Sequence, residues 1–149
     1  MFSSEPEYIS VVGLGYVGLP LALLASEKGF KVFGIDSSEN RVKSIQRGDF
    51  QNNDVDKSKL KTFLQQGQFQ LATNFEQIEK SKVVIICVPT PLFENKPDLS
   101  AIESVLDEIA NRIQPGTLVS LESTSYQGTT RNLIERGLER RMKTKVSFF

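Results

Sequence analysis

A chain of 149 residues fits one ordinary domain, and its 39% hydrophobic and 24% charged content is that of a soluble globular fold rather than a fibrous or disordered one. The 18 basic and 18 acidic side chains cancel, which argues against a nucleic-acid or other polyanion partner. The absence of histidine and the single cysteine, Cys87, exclude an intrachain disulfide, remove the commonest general base and leave no His/Cys cluster for a metal.

The elements alternate in type. Tyr8–Val12 reads as a strand running into Gly13. Residues 17–28 read as a helix with Val17, Leu21 and Leu24 on its apolar face. Pro20 falls in the first turn, where a missing N–H costs little, and Gly29 stops the helix. Lys31–Ile35 is a second strand. Ser37 or Ser38 caps a helix reaching about Gln46, with Gly48 behind it. Residues 49–56 are polar and read as loop. A helix over 57–66 follows, with Leu60, Phe63 and Leu64 on its apolar face. Phe69–Ala72 is a short strand, and Asn74 caps a short helix through Ile78.

Residues 83–88 form a continuous apolar run, as expected of a strand covered on both faces. Pro89, Pro91 and Pro97 frame a stiff loop. Ser100 with Glu103 makes a capping box opening a helix that carries Ile102, Val105, Leu106, Ile109 and Ile113 at helical spacing. Gln114-Pro115-Gly116 is a turn and residues 117–121 a strand. A helix from Thr129 or Thr130 to about Arg140 leads to a last strand over 145–149. This alternation predicts an α/β fold of the Rossmann type: one domain over residues 1–149, a doubly wound parallel sheet of about six strands, helices on both faces. Residues 1–7 are polar and acidic, without the pattern of a signal peptide, and no apolar run approaches the roughly 20 residues of a membrane span. A reducing, cytoplasmic setting without a membrane partner is expected. The chain stops inside an apolar stretch, Val146-Ser147-Phe148-Phe149, which reads as a module cut from a longer protein.

The strongest chemical signal is Gly13-Leu14-Gly15-Tyr16-Val17-Gly18. A G-x-G-x-x-G string alone is weak, but this one follows a predicted strand and opens a predicted helix. Gly13 permits the tight turn, Gly15 lets a pyrophosphate approach the backbone, and Gly18 lets the helix pack on the strand. The helix N-terminus then presents N–H groups and partial positive charge to the phosphates. Asp36, at the end of the second strand and 21 residues beyond Gly15, is placed to bond the adenosine ribose. A carboxylate there repels a 2′-phosphate, so the expected cofactor is NAD rather than NADP. Asp36 can at the same time cap the helix behind it, the ribose role being the favoured reading, and Arg41 reads either as a ribose or phosphate ligand or as a solvated helix residue.

Two further groups sit at strand ends, where open parallel sheets bind ligands. Cys87-Val88-Pro89-Thr90-Pro91 would pack against the cofactor, with Cys87 read as a small core residue rather than a nucleophile. Glu122-Ser123-Thr124-Ser125 offers hydroxyls and a carboxylate to a nicotinamide, or a routine helix cap.

In this order the pieces resemble the N-terminal domain of the UDP-glucose/GDP-mannose dehydrogenase family. The strings that carry the resemblance are Val12-Gly-Leu-Gly-Tyr-Val-Gly-Leu-Pro-Leu-Ala22, Gly34-Ile-Asp36 with Arg41 and Ile45, Val88-Pro-Thr-Pro91, Pro97-Asp-Leu99, Glu122-Ser-Thr124 and Gly128-Thr-Thr130. Val-Pro-Thr-Pro-Leu and Leu-Glu-Ser-Thr look most like the branch that oxidises UDP-N-acetylhexosamines, such as UDP-N-acetylglucosamine 6-dehydrogenases. The resemblance implies oxidation of a nucleotide sugar's primary alcohol to the carboxylate with two NAD, in a parent enzyme that is a homo-oligomer. It also implies that Asp36 and Arg41 hold the ribose, that Val88, Pro89 and Thr90 line the cofactor, and that Ser123 and Thr124 lie near the nicotinamide. Thr124 matches a threonine that helps position a water. The family's catalytic cysteine and lysine belong to later domains, Cys87 does not align with that cysteine, and Gln127 stands where a proline is usual. The expectation is a cofactor module that binds NAD without turning it over. The alternatives are the same module from a hydroxyacid or 6-phosphogluconate-type dehydrogenase, or a stand-alone NAD-sensing module.

Overall fold

The computed structural model describes residues 7–123 and 137–139. Five parallel strands form one sheet in the order β3-β2-β1-β4-β7: β1 (Tyr8–Val12), β2 (Lys31–Ile35), β3 (Phe69–Ala72), β4 (Ser81–Ile86) and β7 (Leu118–Leu121). The chain leaves β1 toward one edge and returns through β4 toward the other. Val12 therefore pairs with Ile35 on one side and Ile86 on the other, and the carboxyl ends of the three strands lie together. The expected sixth strand, over 145–149, lies outside the described residues, as does most of the expected helix before it; residues 137–139 of that helix are helical.

Right-handed crossovers running in opposite directions put their helices on opposite faces of the sheet, and the core divides accordingly. On one face α1 (Gly18–Glu27), α2 (Glu39–Arg47) and α3 (Lys57–Gln65) bury Leu19, Ala22, Leu23, Ile45 and Leu60 against Ile9, Val11, Val32 and Phe69. On the other, α4 (Ser100–Ile109) and a 3-10 turn (Glu76–Lys80) bury Ile78, Ile102, Leu106 and Ile109 against Val12, Ile35, Val84, Ile86 and Val119. Val83 and Ile85 contact the first core and Val84 and Ile86 the second, so β4 is covered on both faces as its composition predicts.

Local chemistry sets several boundaries. Ser38 Oγ accepts the Arg41 N–H at 3.2 Å and opens α2, and Gly48 closes it in the left-handed conformation at φ +76°. Asp56 caps α3 through the N–H groups of Ser58 and Lys59, and Asn74 Oδ1 accepts the Glu76 N–H that opens the 3-10 turn.

Four expectations are corrected. The apolar face assigned to α1 is the wrong one: Val17 and Leu24 are exposed, while Gly18, Leu19, Ala22, Leu23 and Ser26 face the sheet. This helix is apolar nearly all round, so periodicity does not choose a face; close approach at Gly18 does. Ser100 forms no capping box. It is already the first residue of α4, and its N–H donates to Asp98 Oδ1 at 2.9 Å, so the aspartate two residues earlier does the capping. The helix also ends at Ile109, leaving Ile113 buried in the turn beyond. Finally, the proline-framed loop contains an antiparallel hairpin, β5 (Leu92–Phe93) and β6 (Lys96–Pro97), joined by Glu94 and Asn95 at φ 49° and 61°. Two consecutive positive φ values define a tight hairpin turn that normally advertises itself with glycine, and no glycine stands here.

Candidate functional site

The site grows from the turn after β1. The Gly13 N–H donates to the Ile35 carbonyl at 2.8 Å, which carries the chain across to β2. Gly13 has φ +91°, and a Cβ there would meet the Cys87 carbonyl oxygen at 2.7 Å. A Cβ on Gly18 would stand 1.8 Å from the Gly13 carbonyl oxygen and 3.2 Å from Cys87 Cβ. Both glycines are thus demanded by backbone packing, and together they press the start of α1 onto β1 and β4. Gly15 differs. A Cβ there meets nothing within 4 Å, so the protein itself leaves the space over this residue open. An exposed glycine facing an open cleft is the cradle a pyrophosphate needs.

Asp36 and Arg41 grip the two successive peptides that flank Leu14 in this turn. Asp36 Oδ2 accepts the Leu14 N–H at 2.9 Å, and Arg41 Nε donates to the Leu14 carbonyl at 2.7 Å. Asp36 Oδ1 accepts the Ser38 N–H at 3.0 Å, so the capping reading of Asp36 holds in geometry. Each carboxylate oxygen has a second lone pair, and the half-buried carboxylate lines the cleft, so it can still accept from ribose hydroxyls.

The cleft has a volume of about 990 Å³ and lies over the carboxyl ends of β1, β2, β4 and β7. Its lining brings together Gly13, Gly15, Tyr16, Val17, Asp36, Arg41, Val88, Pro89, Thr90 and Ser123 of the residues singled out in the sequence, with Cys87 and Glu122 beside them. Leu14 and Gly18 do not line it. The Leu14 side chain is fully buried in the core under α1 and only its peptide serves the site, while Gly18 is buried beneath the turn. Thr124 lies outside the described residues. Ser123 Oγ donates to the Ile86 carbonyl at 3.4 Å, and Glu122 Oε1 accepts from Ser120 Oγ at 2.8 Å.

The thiol of Cys87 is pushed up to about 11, first by burial and then by the charge of Glu122. At neutral pH it is protonated, and a thiol, unlike a thiolate, is a poor nucleophile. It serves the cleft as wall.

One wall escaped the sequence reading. Phe75, just past β3, and Ala101, Ser104, Val105 and Glu108 on α4 face the cleft opposite the glycine turn. A lone aromatic among Thr73, Asn74, Glu76 and Gln77 after a strand end was the available signal for Phe75. The α4 residues carried none, because Val105 reads as core and the others as surface. Among the described residues no group of His, Cys, Asp and Glu could hold a metal ion, and no helix is long and apolar enough to cross a membrane.

The comparisons with known proteins fall on this architecture. The profile of the UDP-glucose/GDP-mannose dehydrogenase family, NAD binding domain, matches residues 7–148. The UDP-N-acetyl-D-mannosamine dehydrogenase of Pyrococcus horikoshii is 37% identical over 127 residues, 84% of this chain and 30% of that protein. The UDP-N-acetyl-D-glucosamine 6-dehydrogenase of Pseudomonas aeruginosa is 36% identical over 123 residues, 82% of this chain and 28% of that protein. The solved structure of the UDP-D-ManNAc dehydrogenase from Pyrococcus horikoshii superimposes with a TM-score of 0.87 at 36% identity, covering 95% of this chain and 34% of that one. The chain spans about a third of the length of the relatives it matches. The open cradle at Gly15 and the acid at Asp36 fit the cofactor of that domain, and the kinship with N-acetylhexosamine dehydrogenases is the one the sequence strings indicated. The chain therefore belongs to the UDP-glucose/GDP-mannose dehydrogenase family, as its NAD-binding domain.

Proposed function

We propose that this chain is the cofactor module of a dehydrogenase that oxidises the primary alcohol of a UDP-N-acetylhexosamine to the carboxylate with two NAD, and that by itself it binds NAD without turning it over. NAD, when bound, accepts the hydride in such an oxidation; the chain's own residues bind and orient it. The observation that carries the reading is the cleft in which an open Gly15 lies between Asp36 at one end and Ser123 at the other. In this reading Asp36 and Arg41 meet the adenosine ribose, the turn at Gly15 to Val17 meets the phosphates, Val88, Pro89 and Thr90 line the middle, and Ser123 with Thr124 stands near the nicotinamide.

The second half of the proposal follows from chemistry. A four-electron oxidation of an alcohol passes through an aldehyde, which a nucleophilic thiol can hold covalently for the second step. The chain's single thiol, at Cys87, is held protonated by its surroundings. The sugar site, the oligomer and a cytoplasmic location belong to the parent protein in this proposal.

Calorimetric titration tests it. NAD should bind, NADP should bind at least roughly tenfold more weakly because its 2′-phosphate meets the Asp36 carboxylate, and Asp36→Ala should weaken NAD strongly. A mixture of the chain, NAD and UDP-N-acetylhexosamine should produce no NADH. A folded chain that ignores NAD at millimolar concentration sinks the reading, and NADH formation sinks its second half.

A further inference from the structure

Helix α1 begins at Gly18, so Pro20 is its third residue. In a helix the N–H of one residue bonds the carbonyl four residues earlier, and proline has no N–H to give. The Tyr16 carbonyl is thereby left without a helical partner. Asn52, which lies between α2 and α3, supplies one: its Nδ2 donates to the Tyr16 carbonyl at 3.4 Å. The amide is fixed in that orientation, because Oδ1 accepts the Asp54 N–H at 3.0 Å and the residue is only 7% exposed. The segment around it is anchored too. Phe50 and Val55 are buried in the core beneath α1, and the cations of Arg41 and Lys57 lie over the Phe50 ring at 5.7 and 4.8 Å.

The carbonyl and N–H of one trans peptide point in opposite directions. Holding the Leu14 carbonyl on Arg41 therefore aims the Gly15 N–H the other way, and holding the Tyr16 carbonyl on Asn52 does the same for the Val17 N–H. The two preceding donors of the turn are already committed, Gly13 to Ile35 and Leu14 to Asp36. Of the donors that follow, the Gly15 and Val17 N–H groups are the two that these side chains orient.

We propose that Asn52 is a positioning residue of the phosphate cradle: it replaces the N–H that Pro20 lacks and so holds the Val17 N–H toward the diphosphate of the dinucleotide. This rests on the reading of the cleft as the NAD site. It assigns a role to a segment that reads as plain polar loop in the sequence. It also couples Asn52 to Pro20, because an alanine at position 20 brings back the helical donor and makes Asn52 dispensable.

The test is an NMR-monitored titration of the 149-residue chain with ADP, which carries a diphosphate, and with adenosine, which does not. Loss of one oriented hydrogen bond corresponds to about fivefold in affinity. Asn52→Ala should weaken ADP by about that factor and leave adenosine within about twofold, and adding Pro20→Ala should restore ADP binding. If Asn52→Ala alone fails to fold, the comparison runs in the Pro20→Ala background, where Asn52→Ala should leave ADP binding unchanged. Unaltered ADP affinity in a folded Asn52→Ala, a parallel loss for ADP and adenosine, or no rescue by Pro20→Ala overturns the assignment. An unaltered chain that binds neither ligand overturns the NAD reading and this inference with it, whereas loss of the Asn52 effect alone leaves the NAD reading standing.

Discussion

The turn after β1 and the loop after β4 leave the carboxyl ends of two neighbouring strands, yet they are fixed by different means. The turn is fixed by exclusion. The backbone at Gly13 and Gly18 leaves no room for a single added carbon, and the backbone of Leu14 is held at both its N–H and its carbonyl. The loop is fixed by stiffness. Pro89, Pro91 and Pro97 restrict its torsions, the Asp98 N–H closes the hairpin base on the Pro91 carbonyl at 2.7 Å, and β5 holds Leu92 and Phe93 out in solvent at 73% and 69% exposure. A ligand between them meets one wall with no room for an added atom and another that carries an exposed hairpin. The site should thus be sensitive to added atoms on the first side and tolerant of side-chain change in the hairpin of the second.

Substitutions can break that contrast. The largest effect is expected at Gly18→Ala, whose Cβ would fall 1.8 Å from a backbone oxygen; chemical denaturation should show a loss of about 4 kcal/mol or more. Gly15→Ala separates ligand space from protein space. Its Cβ meets no protein atom, so stability should change by less than about 1 kcal/mol, while NAD affinity should drop at least roughly tenfold because the methyl occupies the cradle. Equal stability losses at the two glycines would erase the distinction.

On the β4 side, Cys87 reports the dryness of the cleft floor. Its folded pKa, about 11, lies above the ordinary 9.0, so the folded chain keeps a proton that the unfolded chain releases. Stability should fall as pH rises from 9 to 11, and Cys87→Ala should remove that slope. Alkylation at pH 8 should be slow, and faster in Glu122→Gln, which deletes the second cause of the shift. A smaller effect distinguishes the two caps proposed for α4. Asp98→Ala should lower the melting temperature, more so above the depressed pKa of Asp98 than below it, whereas Ser100→Ala should leave it nearly unchanged. The smallest effect is expected on the exposed strand β5: Leu92→Ser and Phe93→Ser should each stay within about 0.5 kcal/mol of the parent stability.

What was legible in the sequence follows the same division. Features set by a few consecutive residues could be read: Ser38 and Gly48 bounding α2, the turn at Gly116, the acid after β2, the glycine string between a strand and a helix. Features set by what lies across the fold could not. Which face of α1 turns inward depends on Cys87 and Gly13 meeting Gly18, which no local pattern of leucines contains. Phe75 and Val105 become cleft wall only because the fold brings the end of β3 and the side of α4 to the cleft. Asn52 becomes a partner of Tyr16 only once α2 folds back. The hairpin is the exception within local structure: Glu94 and Asn95 adopt positive φ without the glycine that would have announced it.

The division of the core into two clusters, one on each face of the sheet, has a dynamic consequence. The cleft takes lining from both: Tyr16 and Arg41 belong to elements packed on the first face, Phe75 and Val105 to the second. An occupant that touches both walls links the openings of two layers that otherwise meet only through the strands. Amide hydrogen exchange should then slow on saturation not only in α1 but also in α4, so that the bound domain opens as one cooperative unit where the free domain opens as two.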